Sequence, residues 1–317
     1  MSLLHEASDT FQCFGSRCGV FVIGDSRAGS AEQAVGQVRR SLLSWHERFS
    51  RFEPHSELTR LNRDPRPEVP VSDLMARLAA AATRAASVTG GLVDATLLEE
   101  IERAGYRSHH ETSVPLDIAL ALAPPRQPAG PALDERWRSI EVDLAARTIG
   151  RPPGVQLDSG GIAKGLFADI LGEQLAGHES YAIDCGGDLR LGGIGRHPRT
   201  VRVASPFGDE VVHELEVADG GIATSGIGKR SWIDADGVSA HHVLDPATGR
   251  PAFTGIVQVT ALAPTGLEAE IAAKAALLSG PEEAGTWLPD GGVIVFDDTS
   301  HEVVAPRWAR APAAVAR

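Results

Sequence analysis

From residue 180 onward the chain reads as a succession of short strands, at 180–184, 189–191, 200–204, 211–217, 221–224, 256–261 and 291–296, with one helix-like stretch at 267–278 among them. This limits the fold more than any other feature of the sequence. Consecutive strands with no helix between them pair antiparallel through turns, whereas a parallel sheet demands a crossover, usually helical, after each strand. Upstream the order is different. A strand at 18–23 precedes two helical stretches: 30–49, broken only by Gly36, and the alanine-rich 72–88, with Ser72 as its N-cap and Gly90-Gly91 just past its end. Strands at 140–144 and 148–149 and a helix at 162–175 complete the series. The pattern predicts an α+β fold of mixed and antiparallel sheets with packed helices, organised as one domain over 1–317. The proline-rich 123–131 reads as a surface loop and 306–317 as a frayed or loosely docked tail.

A hydrophobic share of 43% in 317 residues is enough to bury a full core. Lys and Arg total 30 against 42 Asp and Glu, and the formal charge of -12 argues against nucleic acid or an anionic membrane as a broad partner. Any phosphate site must therefore be local. The three cysteines, Cys13, Cys18 and Cys185, are too few for a disulfide framework and suit a reducing compartment. The first ten residues lack the basic start and apolar run of a secretory signal, and no apolar stretch approaches the roughly 20 residues that span a bilayer. The chain reads as cytoplasmic, without membrane insertion.

Three segments carry chemistry. In Asp158-Ser159-Gly160-Gly161-Ile162-Ala163-Lys164-Gly165, glycines and a lysine stand where a strand is expected to hand over to a helix. Glycine lets backbone approach an anion, a helix N-terminus adds partial positive charge, and Lys164 adds a full one, a combination that suits a pyrophosphate. The alternative is a tight turn with a solvated lysine, since the segment is neither a GxxxxGK[ST] loop nor a GxGxxG fingerprint. The second segment is His241-His242-Val243-Leu244-Asp245-Pro246-Ala247-Thr248-Gly249. A neutral imidazole is the natural base for a Ser or Thr hydroxyl, and a carboxylate such as Asp245 can fix its ring. Adjacent strand residues face opposite ways, so one histidine alone can serve, and His242 is the candidate. The third, Gly90 to Thr96, offers Asp94 and Thr96 either to the polar edge of a flat heterocycle or to the cap of the next helix.

In order along the chain these segments resemble the FAD:protein FMN transferase family, the ApbE-type flavin transferases. Phe14-Gly15-Ser16 resembles the family's Met-Gly-Thr entrance, with Phe14 for the usual Met. Residues Ser50 to Asn62 resemble S-x-[YF]-x-x-x-SE[IL]xxLN, Gly91 to Thr96 G-x-[FV]-D-x-T, and Asp158 to Gly165 D-x-GGIAKG. Asp184 to Asp188 resembles the GGD turn, Thr224-Ser225-Gly226 the [TA]SG motif, and His242 to Gly249 H-[IVL]-[IL]-D-P-x-T-G. The resemblance implies a tunnelling-fold-like α+β unit with FAD bound between two intimate lobes. It further implies transfer of FMN, with magnesium, from FAD to a Ser or Thr in the FMN-binding domain of an acceptor protein, with release of AMP. Carried over by position, Lys164, His242 and Asp245 are catalytic candidates. Phe14, Gly15, Ser16, Glu57, Asn62, Asp94, Thr96, Asp158, Gly160, Gly161, Ser225 and Gly226 join Lys164 and His242 as candidates for holding FAD.

One place departs from the family. Typical members carry Asp and, four residues on, Thr in the late helix as magnesium ligands; here Glu270 and Lys274 stand there. The two share a helix face and can simply pair. Lys274 can instead substitute for the cation as a compact point charge, or Glu270 and a backbone oxygen at Ala163 can still hold magnesium. The readings left open are a transferase, an FAD pyrophosphatase using water, and a non-catalytic FAD-binding protein.

Overall fold

The computed structural model describes residues 5–108, 113–234 and 236–307. Its centre is one sheet of eight strands: β1 (Glu6–Cys13), β2 (Ser16–Ile23), β3 (Ser180–Asp184), β4 (Asp188–Gly192), β5 (Gly220–Gly226), β6 (Ile256–Ala263), β7 (Gly292–Phe296) and β8 (His301–Val304). The strands lie in the sheet in the order in which they occur in the chain, and every neighbouring pair is antiparallel. Turns and excursions that return to the same edge suffice for such a meander, so the α+β expectation stands. The largest excursion, residues 24–179, separates β2 from β3 and carries much of the cavity wall.

Helices α1 (Ala31–Phe49), α2 (Glu57–Arg63), α3 (Asp73–Val88), α4 (Ala163–Leu175) and α5 (Gly266–Ser279) accompany the sheet. Ser30 and Gln33 form a reciprocal capping box at the start of α1, and Val35, Val38 and Leu42 follow at helical spacing onto β1 and β2. Ser72 caps α3 as the sequence predicts, accepting the Met75 N–H at 3.2 Å. α4 and α5 fill the space over β4, β5 and β6. α5 is buried almost all round because it is built from small residues, Ala269, Ala273, Ala275 and Ala276 among them. The opposite face of the sheet is covered by the hairpin of Arg199–Ala204 and Val211–Val217, whose Val217 packs on Ala182, Leu191 and Ile222.

Both edge strands of the sheet and the helix α2 are among the elements that escape the sequence pattern. β1 is an edge strand in which only Ala7 and Cys13 are buried, so its sequence is polar. α2 is seven residues long, too short for periodicity to register. β8 is the other edge, buried only at Val304. Residues 123–131 form no regular element but are pinned: the Gln127 and Ala129 N–H groups donate to Phe253 and Leu278. Of the predicted tail, Arg307 donates its N–H to the Pro289 carbonyl, and 308–317 lie outside the described residues. No helix among the described residues is long and apolar enough to cross a membrane.

Candidate active site

A cavity of about 600 Å3 opens where the β1–β2 turn, the α1–α2 loop, the 158–164 turn and the 242–246 loop meet α5. Phe14, Phe49, Phe52 and Tyr106 bring aromatic rings to its lining. Phe167 of α4, fully buried, lies 5.7, 5.0 and 5.4 Å from the rings of Phe14, Trp45 and Phe49, and aromatic pairs of this kind contribute about 0.5–1.5 kcal/mol each. Phe14 and Arg230 both adopt left-handed backbone, with φ of 53° and 75°. Non-glycine residues are held in that region only by surrounding bonds, and such strain gathers at functional sites. Here Arg230 donates through Nη2 to the Phe14 carbonyl at 3.1 Å and through its N–H to Ser113 Oγ at 2.7 Å.

The 158–165 turn is built differently from the sequence expectation. Its amides are mostly spent inside the protein: Gly160 donates to Asp158 Oδ1, Ile162 and Ala163 to the Ser159 carbonyl, and Gly165 to Glu270 Oε2 at 2.9 Å. An anion here would therefore meet side-chain charge more than backbone N–H. Gly165 serves packing. A Cβ at that position would come within 2.5 Å of the Gly266 carbonyl oxygen, so only glycine lets the first turns of α4 and α5 touch. Asp169, one turn on, accepts the Gly266 and Leu267 N–H groups at 2.7 and 2.9 Å and caps α5.

Lys164 is not solvated. Its Nζ donates to Asp188, the first residue of β4, just after the turn whose Gly186 and Gly187 have φ of 80° and 100°. Burial works against the Lys164 charge, but Asp188 and Glu270 outweigh it and hold the ammonium above its ordinary pKa. Glu270 is 1% exposed; burial and Asp188 push its carboxyl above the usual range, while Lys274 and Lys164 pull the other way. Lys274 Nζ lies 3.7 Å from Glu270 Oε1, and its chain runs over Gly161, where a Cβ would approach Cε to 3.0 Å. Lys164, Asp188, Arg230, Glu270 and Lys274 thus all face one cavity.

The two histidines part as predicted: His242 lines the cavity, whereas His241 packs edge-on against Phe253 and accepts the Val243 N–H. Burial, then Arg230, His241 and the two lysines, depress the His242 pKa well below its ordinary value, so the ring is neutral. Its Nδ1 is buried without a hydrogen-bond partner among the described residues. Asp245 does not orient it, contrary to expectation. That carboxylate accepts the Gly130 and Ala247 N–H groups and the Thr248 hydroxyl, which fixes the Asp-Pro turn, and none of these bonds is to the imidazole.

Three further candidates stand behind the cavity wall and not in it. Glu57 accepts the Ser72 N–H and hydroxyl and pairs with Arg48 at 2.8 Å, joining α2 to the start of α3. Asn62 bonds both backbone groups of Leu157 at 2.8 Å. Thr96 donates its N–H and hydroxyl to Asp94 Oδ1, each at 2.7 Å. The helix that follows is not capped by this pair, since its N-cap, Leu97, makes no side-chain cap bond. Asp94 itself lines the cavity, with Oδ2 buried and without a hydrogen-bond partner among the described residues and its carboxyl raised in pKa by burial. Phe14, Gly15, Ser16, Asp158, Gly160, Gly161, Ala163, Ser225 and Gly226 line it as well.

Residues 14–295 match the model of the ApbE family. The chain belongs to the ApbE family. Among similar proteins is the FAD:protein FMN transferase of Vibrio cholerae serotype O1, 29% identical over 266 residues that cover 81% of this chain and 76% of the relative. That of Klebsiella pneumoniae is 28% identical over 290 residues, 87% of this chain and 79% of the relative. The crystal structure of the ApbE protein of Thermotoga maritima superposes with a TM-score of 0.77 at 24% identity, over 96% of this chain and 98% of that one. The flavin transferase ApbE of Vibrio cholerae gives 0.72 at 20%, over 96% and 98%. These likenesses extend the ApbE fold across nearly all of the chain.

The magnesium site that the family resemblance implies does not fit this ApbE chain. Magnesium takes about six oxygen ligands in near-ideal octahedral geometry. Of the Glu270 oxygens one is bonded to the Gly165 N–H and the other faces an ammonium, and Asp188 is bonded to Lys164. Among the described residues no three His, Cys, Asp or Glu side chains form a set able to hold a metal ion. Sequence reasoning also passed over Arg51, Asp188 and Arg230. Arg51 stacks over Phe52 at 4.3 Å and Tyr106 at 4.9 Å and stands 3.7 Å from Asp158. Asp188 and Arg230 lay inside or just beyond recognised motifs, and only the tertiary structure shows that they face Lys164 and Phe14.

Proposed function

We propose that this chain is an FAD:protein FMN transferase, which binds FAD in the cavity and passes its FMN half to a Ser or Thr hydroxyl of an acceptor flavoprotein. One observation carries the reading. Motif segments spread from Phe14 to Lys274 converge on a single cavity that combines partly buried positive side chains with a neutral imidazole. The positive side chains suit the diphosphate, and Asp94 Oδ2, buried and without a partner among the described residues, suits a donor on the flavin or its ribityl chain.

In this reaction the acceptor oxygen bonds to the FMN phosphorus while the anhydride bond to AMP breaks, and the hydroxyl proton passes to His242. AMP leaves with its phosphate. Lys164, kept charged by Asp188 and Glu270, stabilises negative charge growing on the phosphoryl oxygens. Arg230, Lys274 and Lys164 all help to depress the His242 pKa in the empty protein. A bound diphosphate offsets that cationic field, so the imidazole becomes a better base once substrate is in place. Glu57, Asn62, Thr96 and Asp245 position the walls and touch no substrate.

The test is incubation with FAD and an FMN-binding domain carrying an acceptor Ser or Thr, followed by intact mass spectrometry of that domain and assay of AMP. The expected result is one FMN added per domain with stoichiometric AMP. Free FMN and AMP with an unmodified domain would show a pyrophosphatase instead, and unchanged FAD a carrier.

A further inference from the structure

The cationic cluster contains three positive groups, Lys164, Arg230 and Lys274, against two carboxylates, Asp188 and Glu270. Before any ligand enters, the cluster therefore carries one positive charge in excess. A diphosphate brings two negative charges, which side chains alone reduce to one. The position of Lys274 makes its ammonium a resident cation. Nζ stands 3.7 Å from Glu270 Oε1, the side chain is largely buried, and its methylenes lie on Gly161, the glycine of the turn that a Cβ would crowd. A divalent ion bound to Glu270 Oε1 would lie within about 6 Å of that ammonium, a like-charge neighbour in a partly desolvated site. The other Glu270 oxygen is occupied by the Gly165 N–H.

We propose that the Lys274 ammonium takes the place of a divalent cation, so that this chain binds FAD and transfers FMN without one. Both halves rest on the FAD cavity proposed above, and only the transfer half rests on the transferase reading. The ammonium is a compact point charge, strongly hydrated when free, and it neutralises phosphoryl oxygens as a metal would while fixed by one covalent tether. Glu270 then holds the ammonium, with the Gly165 N–H holding Glu270.

The experiment measures two quantities on the full chain, each in EDTA and in millimolar MgCl2: FAD affinity by flavin fluorescence, and FMN added to an acceptor domain by intact mass. For the wild type both should agree within about twofold between the two conditions. Lys274→Thr should bind FAD at least tenfold more weakly in EDTA and recover in MgCl2. The proposal is overturned if wild-type affinity falls tenfold or more in EDTA and MgCl2 restores it, or if transfer occurs with MgCl2 and stops in EDTA. It is equally overturned if Lys274→Thr binds FAD in EDTA as tightly as the wild type. Tight FAD binding in EDTA with no transfer in either condition would uphold the ammonium's role in binding and overturn the transferase reading alone.

Discussion

Gly165→Ala tests how the contact between α4 and α5 holds the site. A methyl at 165 would lie 2.5 Å from the Gly266 carbonyl oxygen, 2.6 Å from its carbon and 2.8 Å from the Leu267 nitrogen. All three are backbone atoms in the first turn of α5, pinned by Asp169 and by the Thr265 cap, so none can swing aside. Restoring ordinary contact means parting the two helices by about 1 Å, and overpacking of this kind costs about 1–3 kcal/mol. The better helix propensity of alanine returns about 0.8–1 kcal/mol. The net loss, up to about 2 kcal/mol, should lower Tm by up to roughly 8 °C at about 2–4 °C per kcal/mol. The same displacement lengthens the Gly165 N–H bond to Glu270, so FAD should bind about tenfold more weakly, a loss of about 1.4 kcal/mol. Gly208→Ala is the control, because a Cβ there meets nothing within 4 Å. Calorimetry and flavin fluorescence read both quantities. A Gly165→Ala protein with the melting temperature and FAD affinity of the wild type would refute the packing argument.

Three more expectations concern single side chains. His242→Gln should slow FMN transfer by about 10²–10⁴-fold, the usual worth of a general base, while FAD affinity stays within a few-fold; an undiminished rate by intact mass would remove His242 from the chemistry. Asp94→Asn keeps an acceptor for Thr96 but replaces Oδ2, and should weaken FAD binding by about tenfold, near the 1.5 kcal/mol of a hydrogen bond to a charged group; equal affinity by fluorescence titration would show that Oδ2 meets no donor. His241, pushed down to about 3 by burial, stays neutral in the folded protein at pH values where the unfolded chain, near 6.5, takes up a proton. The unfolded state thus binds more protons below pH 6.5, and stability falls as pH falls from there toward 3. Between pH 7 and pH 5 the loss from this residue is roughly 2 kcal/mol. Urea titrations should show the wild type losing that much more than His241→Phe over the interval, and parallel losses would contradict the linkage.

Much of the fold was legible because its elements announce themselves locally. α1, α3 and α5 carry cap residues, α4 is a largely apolar stretch, and β6 and β7 carry β-branched runs. β1 was not legible, because an edge strand buries little and its sequence need not alternate. In the site, residues that face the cavity from within a motif were found, as with Asp158, Lys164 and His242. What failed was the assignment of partners. The spacing of His242 and Asp245 invites a hydrogen bond that the turn spends on Gly130, 115 residues away. Lys164 invites a solvated or phosphate-facing reading, whereas Asp188, 24 residues on, already holds it. Sequence separation hides both facts, since nothing in either segment encodes which distant strand or loop will lie beside it.

The long signature from Ser50 to Asn62 shows how such a motif can be specific without touching a ligand throughout its length. Ser50, Arg51 and Phe52 line the cavity, and Arg51 donates to the Tyr106 carbonyl at 2.7 Å. Glu57 and Asn62 sit deeper, and Asn62 pairs with both the N–H and the carbonyl of Leu157 as a strand neighbour would. That pairing sets the register of Leu157, and therefore of Asp158, one residue on. Ser159 then donates its hydroxyl to the Phe49 carbonyl at 2.9 Å, closing the join between the end of α1 and the start of the glycine turn. A slip of one residue at Leu157 would rotate Lys164 away from Asp188, because α4 begins only six residues later. An amide side chain at 62 is therefore demanded by the charge arrangement of the cavity, although Asn62 does not line it, while Glu57 joins α2 to the start of α3. The electrostatics of the site begin in the packing of α1 and α2, and a substitution there should alter FAD affinity through the 158–165 turn.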